Sequence, residues 1–567
     1  MRKNYLLPLS LLFSWGMIAQ ITVQGIPRED LNAGQEKNLK AAKELKSNAA
    51  VSSTSVDYTK GIFIVNEDWF GHARGSINFL PKDGDWVYNA YRQENKGQGL
   101  GVTTQYGTIY GDNFYLVSKS GGRLIVADAK TLKNKAGFAG VGGGDGRTFL
   151  GVDEKTGYIG TSTGIYLFNI ENLKVGKLIA GTEGGGTNKG QIGNMVRTSK
   201  YVFAVKQSIG VLIIDPEKHE VIKTIAVKSI NTIAQSKDGN VWVGAGKELI
   251  KVNPVTFETQ KISVSSSISG SWGAWNAGGF CSSTQNNALY WTNGGGFMGG
   301  GNTVIKYDID TGTLNTSFYQ IPGQTETYKQ QFYGAGLRID PNTDNLVITT
   351  TESGFGEHFA KNWVHIVSNE GNLLKTYSLK DYYWFPALPV FPDSASPEIS
   401  QELASAISIS SETNIDLKDK VSDKDNIVPA IVKSLKEIEN KNIVTAAIDK
   451  QDRLIINPLK VGTAILEIIF NSNGKTAKHQ LTVTVTSTLG IDEVERRNSL
   501  PLYPNPFADY FFIEAKKANI LSVYSVNGVK VLEQNLKEGE NRVDVSHLSG
   551  GIYLIKANDQ TYKVIKK

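Results

Sequence analysis

Cysteine is almost absent from this 567-residue chain: only Cys281 is present, so no disulfide can form within one chain. No lipid-accepting cysteine directly follows the N-terminal apolar run, so a conventional lipoprotein anchor is not expected. Histidine is nearly as scarce, at six. Three of these, His219, His479 and His547, fall in turns or outside the main repeat region, which leaves few imidazoles for metal or acid–base chemistry. There is no Ser-centred nucleophile elbow and no paired-cysteine metal motif. There is also no long basic run with interleaved aromatics, and the net charge is only +5, so nucleic acid is not an expected partner. Beyond Ile18 no apolar stretch is long enough to span a bilayer as a helix.

What the chain does contain is glycine, 59 residues of it, with charged residues at 20%; this suits an all-β protein with many tight turns. The length predicts two to four domains. At the start, Arg2 and Lys3 precede the apolar run Leu6–Ile18, and Ala19 offers a small residue before Gln20. That order reads as a signal peptide over residues 1–19; the run is short and Pro8 interrupts it, which argues against a membrane anchor. Residues 20–57 are polar and read as a linker.

From Gly61 a short phrase recurs: a glycine or polar start, about four β-prone residues, then Asp or Asn opening a turn. It is clearest at Gly210–Asp215 and returns at Arg123–Asp128, Gly164–Asn169, Leu249–Asn253 and Asn302–Asp308, with weaker copies at Gly75–Leu80 and Trp363–Ser368. Seven copies roughly 40 to 60 residues apart match the period of a four-stranded blade, which predicts a seven-bladed β-propeller over residues 58–394. Three strands, Gly61–Asn66, Gly75–Leu80 and Asp85–Tyr91, precede the second blade. One spare segment, Trp384–Phe391, follows the seventh and is expected to supply the innermost strand of the first. Pro386 and Pro389 are tolerable there because such a strand is an edge. Residues 395–487 read as a small antiparallel sandwich, and residues 488–567 as a last all-β domain with Asn527-Gly528 as a hairpin turn.

Two stretches carry resemblances. Leu502-Tyr503-Pro504-Asn505-Pro506, Val523–Val531 and Leu548-Ser549-Gly550-Gly551-Ile552-Tyr553-Leu554, followed by a Lys-rich end, resemble the C-terminal sorting domain of the type IX secretion system of Bacteroidota. The resemblance implies export across both membranes and release or attachment at the cell surface, with the secretion machinery as a partner. Asn66–His72, Gly101–Gly107, Ser271–Trp275 and Tyr383–Pro389 resemble a propeller family of unknown function from surface proteins of the same bacteria. The segment after it is similar to a cadherin-like or Ig-like module. More distantly, the propeller resembles surface propellers that capture cobalamin for TonB-dependent transporters.

In a blade the second-to-third strand loops and the blade-to-blade loops share one face. Here those loops are long, glycine-rich and aromatic, while the opposite turns are short and polar. Large rings on one face suit a ligand, and the expected binding residues are Asp68, Trp69, His72, Tyr106, Arg147, Trp272, Trp275, Phe355, His358 and Trp384. The Gly142–Arg147 loop could present amides to an anion. His72 and His358, on separate loops, make a thin metal signal, and Cys281 reads as a buried thiol. No catalytic residue is assigned and no cofactor is expected, apart from a structural calcium ion for which Asp423 and Asp425 are the candidates. The expected function is non-catalytic capture of a small molecule or glycan at the cell surface, with a corrinoid or a glycan as ligand and a TonB-dependent transporter as partner. The alternatives are an extracellular propeller enzyme, a metal-assisted lactonase or polysaccharide lyase, and a protein-binding adhesive array.

Overall fold

The computed structural model describes residues 56–69, 73–185, 190–268, 276–294, 300–322, 329–354, 356–486, 502–557 and 560–567. The expected signal peptide and all but the end of the linker lie outside them. The structure is essentially all-β, built of several small antiparallel sheets. It divides into two compact units: Met1–Ile407 with Glu412–Asn457 and Thr463–Val483, and Ser408–Ser411 with Pro458–Gly462 and Thr484–Lys567.

Between Gly61 and Val390 the described strands form seven sheets of three or four strands each. The fourth shows why the sequence folds this way. Its strands Ile192–Arg197, Val202–Lys206, Gly210–Asp215 and Glu220–Ala226 pair in chain order. The middle two are almost wholly buried, which explains their unbroken apolar runs, whereas the last alternates against solvent.

The Asp or Asn that closes the five clear copies of the repeated phrase has a specific task. The Asp215 carboxylate accepts the backbone N–H of Glu217 at 2.9 Å and of Lys218 at 3.3 Å. Asp128 does the same for Lys130 and Thr131, and Asn253 for Val255 and Thr256. These side chains stop the strand by supplying the turn's missing acceptors. Four residues after each, the chain enters the left-handed region at Leu132, Leu173, His219, Phe257 and Gly312. Only one of the five is glycine. A non-glycine residue there costs ~1–2 kcal/mol, which burial offsets: Leu132 is fully buried, Phe257 packs edge-on to Tyr201, and His219 Nδ1 lies 2.9 Å from the Tyr158 hydroxyl.

The first sheet joins distant parts of the chain. Gly61–Asn66 pairs antiparallel with Ser76–Pro81 on one side and with Pro386–Val390 on the other, with Phe63 opposite Val390. The strand expected over Asp85–Tyr91 is reduced to a single bridge between Phe79 and Val87. Asn89 then turns left-handed, and Ala90–Glu94 forms one helical turn whose Ala90 and Tyr91 fill the adjoining core. The repeated phrase at Leu249–Asn253 is the second half of one longer element, Val241–Val252. Its first half pairs with Ile230–Gln235 and its second with Thr259–Ile268.

The leading strands Val102–Tyr110, Gly146–Gly151, Ile192–Arg197, Ile230–Gln235, Phe280–Ser282, Gln330–Ile339 and Pro386–Val390 lie beside one another in that order. The last also lies beside Val102–Tyr110. The segment that follows pairs Val432–Glu439 with Gly462–Ser472, and Thr413–Asp416 with Arg453–Pro458. It is bonded to the preceding sheets. Asn473 accepts the Gly111 N–H at 2.8 Å, Lys475 pairs with Asp393 at 2.9 Å, and buried Asp452 holds both Lys200 and Lys433.

In the second unit, Leu502–Tyr503, Tyr510–Ala515 and Gly539–Asp544 form one sheet; Asn519–Ser525, Lys530–Leu536, Gly551–Ala557 and Gln560–Lys566 form another. Phe507, Phe511, Val523 and Ile555 are buried in its core, and Gly528 carries the left-handed turn of the expected hairpin.

Candidate functional site

The strand Gly61–Asn66 does not end cleanly. Glu67 and Asp68 extend it by donating their backbone N–H groups to Phe385 (3.1 Å) and Trp384 (2.9 Å). This places two consecutive carboxyl groups inside the protein, both 2% exposed. The Tyr333 hydroxyl, 266 residues away in sequence, donates to Glu67 at 2.9 Å. Burial pushes Glu67 up to about 7, against the pull of the Tyr333 hydrogen bond and the charge of Lys119. Burial also raises Asp68, against hydrogen bonds from Ser76, at 2.6 Å, and Tyr382. Asp68 sits in the left-handed region, so the sharp turn into the loop is made by a buried acid. Lys119 is itself pushed down to about 8 by burial, with Asp145 and Glu67 opposing and Arg147 adding to the effect.

Aromatic rings surround this carboxyl pair. Tyr333 and Phe385 pack with ring centres 5.0 Å apart, Phe359 lies 5.1 Å from Phe385, and half-buried Trp69 covers Tyr383 at 4.1 Å. Nearby polar groups are buried without protein partners among the described residues: Thr103 Oγ1, both amide atoms of Gln105, Thr351 Oγ1 and Asn362 Oδ1. They represent hydrogen-bonding capacity that solvent or a ligand would use.

The structure brings Asp68 and Trp69 to this cluster. Trp384 is beside them but fully buried: its Nε1 donates to Lys380 O at 2.8 Å and its rings pack on Tyr88 and Tyr382, so it holds the loop rather than presenting a face. Arg147 is buried as well. It donates to Gln191 Oε1 at 3.0 and 2.6 Å and to Gly146 O, and pairs with Asp145 at 3.4 Å, so its side chain joins neighbouring sheets. His358 Nδ1 lies 2.6 Å from Glu352, which Lys361 also approaches. Tyr106 lies elsewhere, further along the leading strand Val102–Tyr110, where it lines a cavity of about 370 Å³. His72, Trp272, Trp275 and Phe355 lie outside the described residues.

Among the described residues no group of three or more His, Cys, Asp or Glu side chains is placed to hold a metal ion. The calcium candidates are engaged with each other: burial and the hydrogen bond with Asp425 raise Asp423 to about 6. Burial works to raise Asp425 too, but hydrogen bonds from Asp423 and from the N–H groups of Ala395 and Ser394 outweigh it and hold Asp425 low. Asp425 thus clamps the connection at Ser394–Ala395, with N–H contacts of 2.8 and 2.9 Å. Cys281 is buried, and burial pushes its thiol up to about 12.

Sequence reasoning passed over Glu67 as a functional group, together with Tyr333 and Lys119. Glu67 stands within Asn66–His72, but nothing in the neighbouring residues marks it as buried, and its partner, Tyr333, is remote in the chain.

A family model described as Domain of unknown function (DUF5074) matches residues 60–392, and one described as Secretion system C-terminal sorting domain matches residues 501–567. No curated protein matches the chain. Similar solved structures include a quinonprotein alcohol dehydrogenase-like protein from Bacteroides thetaiotaomicron, 18% identical, covering 59% of this chain and 79% of that one at a TM-score of 0.45. A functionally unknown protein from Desulfotomaculum acetoxidans is 12% identical, covering 59% and 100% at 0.40. A protein of unknown function from Bacteroides caccae is 12% identical, covering 49% and 98% at 0.32. Likeness at this level says nothing of function.

Proposed function

The chain belongs to the DUF5074 family, which spans residues 60–392, and from that premise we propose that it is a non-catalytic, surface-displayed protein that captures a small hydroxyl-rich ligand. Its destination is given by the C-terminal sorting domain, which directs it to the cell surface through the type IX secretion pathway. The proposed scaffold is a seven-bladed β-propeller over 58–394, followed by an Ig-like module over 395–487. The propeller reading is supported by the seven sheets, by leading strands that neighbour one another in sequence order, and by Pro386–Val390 returning to both Gly61–Asn66 and Val102–Tyr110.

One observation carries the capture reading: a buried carboxyl, Glu67, hydrogen-bonded to Tyr333 and walled by Trp69, Tyr383, Phe385 and Phe359. A carboxyl held near 7 is protonated in a large fraction of molecules at neutral pH, so it offers a donor as well as an acceptor. Donor, acceptor and apolar ring faces together suit a sugar, whose hydroxyls bond in plane and whose C–H faces stack. A glycan is therefore the first ligand class and a corrinoid the second, with a TonB-dependent transporter as the proposed recipient. Calorimetry of the full chain against glycan panels, cobalamin and cobinamide tests this. Micromolar binding of one class, lost in Trp69→Ala with folding intact, supports capture. Turnover of a lactone or a uronate polymer without saturable capture would instead favour the enzyme alternative.

A further inference from the structure

The leading strands have two ends. The Glu67 cluster occupies the end where Pro386–Val390 begins; the cavity of about 370 Å³ occupies the other, where Leu388–Asp393, Ile339 and Tyr106–Ile109 meet Asn426 and Asn473 of the following segment. A space of that size is ample for a small organic molecule.

Arg338 lines it. Its Nη1 donates to Gly278 O at 3.0 Å and to Leu337 O at 2.6 Å. Among the described residues Nε and Nη2 have no acceptor, and no carboxylate lies within ion-pair distance of the guanidinium. Burial lowers its pKa, and the groups that oppose this are Cys281 and Tyr106, neither of them an acid. The Tyr106 hydroxyl is close enough to feel the Arg338 charge and has no acceptor among the described residues. An Arg edge formed by Nε and Nη2 matches the two oxygens of a carboxylate, and Arg338 is only half-buried, so that edge is open to a guest entering the cavity.

The acids that share the cavity wall are already committed, Asp393 to Lys475 and Asp425 to the Ser394 and Ala395 amides. They neutralise nothing at Arg338, yet their charge disfavours a multiply charged guest. Asn194 spends its Nδ2 on Ile233 O, which leaves its carbonyl oxygen for a ligand hydroxyl.

We propose that this cavity is a second binding site, for a hydroxylated monocarboxylate of the sugar-acid class, seated with its carboxylate on the Nε–Nη2 edge of Arg338 and beside the Tyr106 hydroxyl. The test is calorimetry of the full chain at pH 7 and low salt with D-glucuronate, and with inorganic phosphate as the competing anion. Saturable one-to-one binding of glucuronate is expected, weakened at least tenfold by Arg338→Gln and severalfold by Tyr106→Phe. Trp69→Ala should leave it unchanged, which separates this site from the Glu67 cluster. Should Arg338→Gln fail to fold, Tyr106→Phe, which keeps the packed ring, decides. Absence of saturable glucuronate binding, binding indifferent to both substitutions, or phosphate binding as tight as glucuronate would overturn the proposal.

Discussion

Glu67→Gln converts the buried acid into a neutral near-isostere that still accepts the Tyr333 hydroxyl bond, so its effect on stability depends on pH in a calculable way. In the folded protein Glu67 titrates near 7, against 4.5 for an unperturbed glutamate. Below 4.5 both folded and unfolded chains hold the proton and the acid carries no penalty. Between 4.5 and 7 the unfolded chain releases the proton while the folded one keeps it, so stability falls as pH rises; above 7 the full penalty persists. That interval corresponds to about 3 kcal/mol. Glutamine adds an N–H pair that costs ~1 kcal/mol if it finds no acceptor, but that cost is the same at every pH. Asp68 is raised in the same direction, yet it is present in both proteins and cancels in the difference. Lys119, pushed down to about 8, changes stability only above that value. The stability of Glu67→Gln relative to the parent should therefore improve by about 3 kcal/mol between pH 4.5 and pH 8, or about 4 °C in melting temperature for a cooperative unit of this size. Thermal and urea melts of both proteins at the two pH values check it. A difference that stays constant with pH would refute the assignment of Glu67 as a buried acid.

Three further outcomes follow from the packing. Phe257→Gly should destabilise by ~2–4 kcal/mol in urea melts even though glycine prefers the left-handed backbone there, because loss of the ring against Tyr201 and Phe203 exceeds the relief of ~1 kcal/mol. Asp452→Asn removes the shared counter-charge of Lys433, 5% exposed, and Lys200, and should cost ~3–5 kcal/mol by the same assay. Deleting Leu502–Lys567, nearly the whole span of the sorting domain, should leave the protein in the periplasm; surface protease accessibility of that truncation equal to the parent's would contradict the sorting assignment.

How far the sequence carried depended on how local the physics was. Gly164–Asn169 and Gly210–Asp215 were legible to the residue because an Asx side chain ends a strand using amides two or three positions on. The pairing of Trp384–Phe391 with the first strand was legible from strand counting, although the observed strand is shorter, Pro386–Val390. Asp85–Tyr91 misled because its alternation is real, but Ala90 and Tyr91 are used by a helical turn that fills the core. At the site, Trp69 was readable as an aromatic on a glycine-rich loop. The burial of Trp384, the use of Arg147 by Gln191, and the Glu67–Tyr333 bond were not, since each depends on a partner from a distant stretch of chain. Tyr106 was grouped with the loop aromatics by type, while its position near the middle of a nine-residue strand carries it toward the opposite end.

The central claim is that the cluster around Glu67, Tyr333 and Trp69 is a capture site. Calorimetric titration of the full chain and its Trp69→Ala and Tyr333→Phe variants with glycan and corrinoid panels tests it most directly. Micromolar or tighter binding of one ligand class is expected, abolished by Trp69→Ala and weakened about tenfold by Tyr333→Phe through loss of the hydroxyl beside Glu67. Equal affinity in all three folded proteins would contradict it.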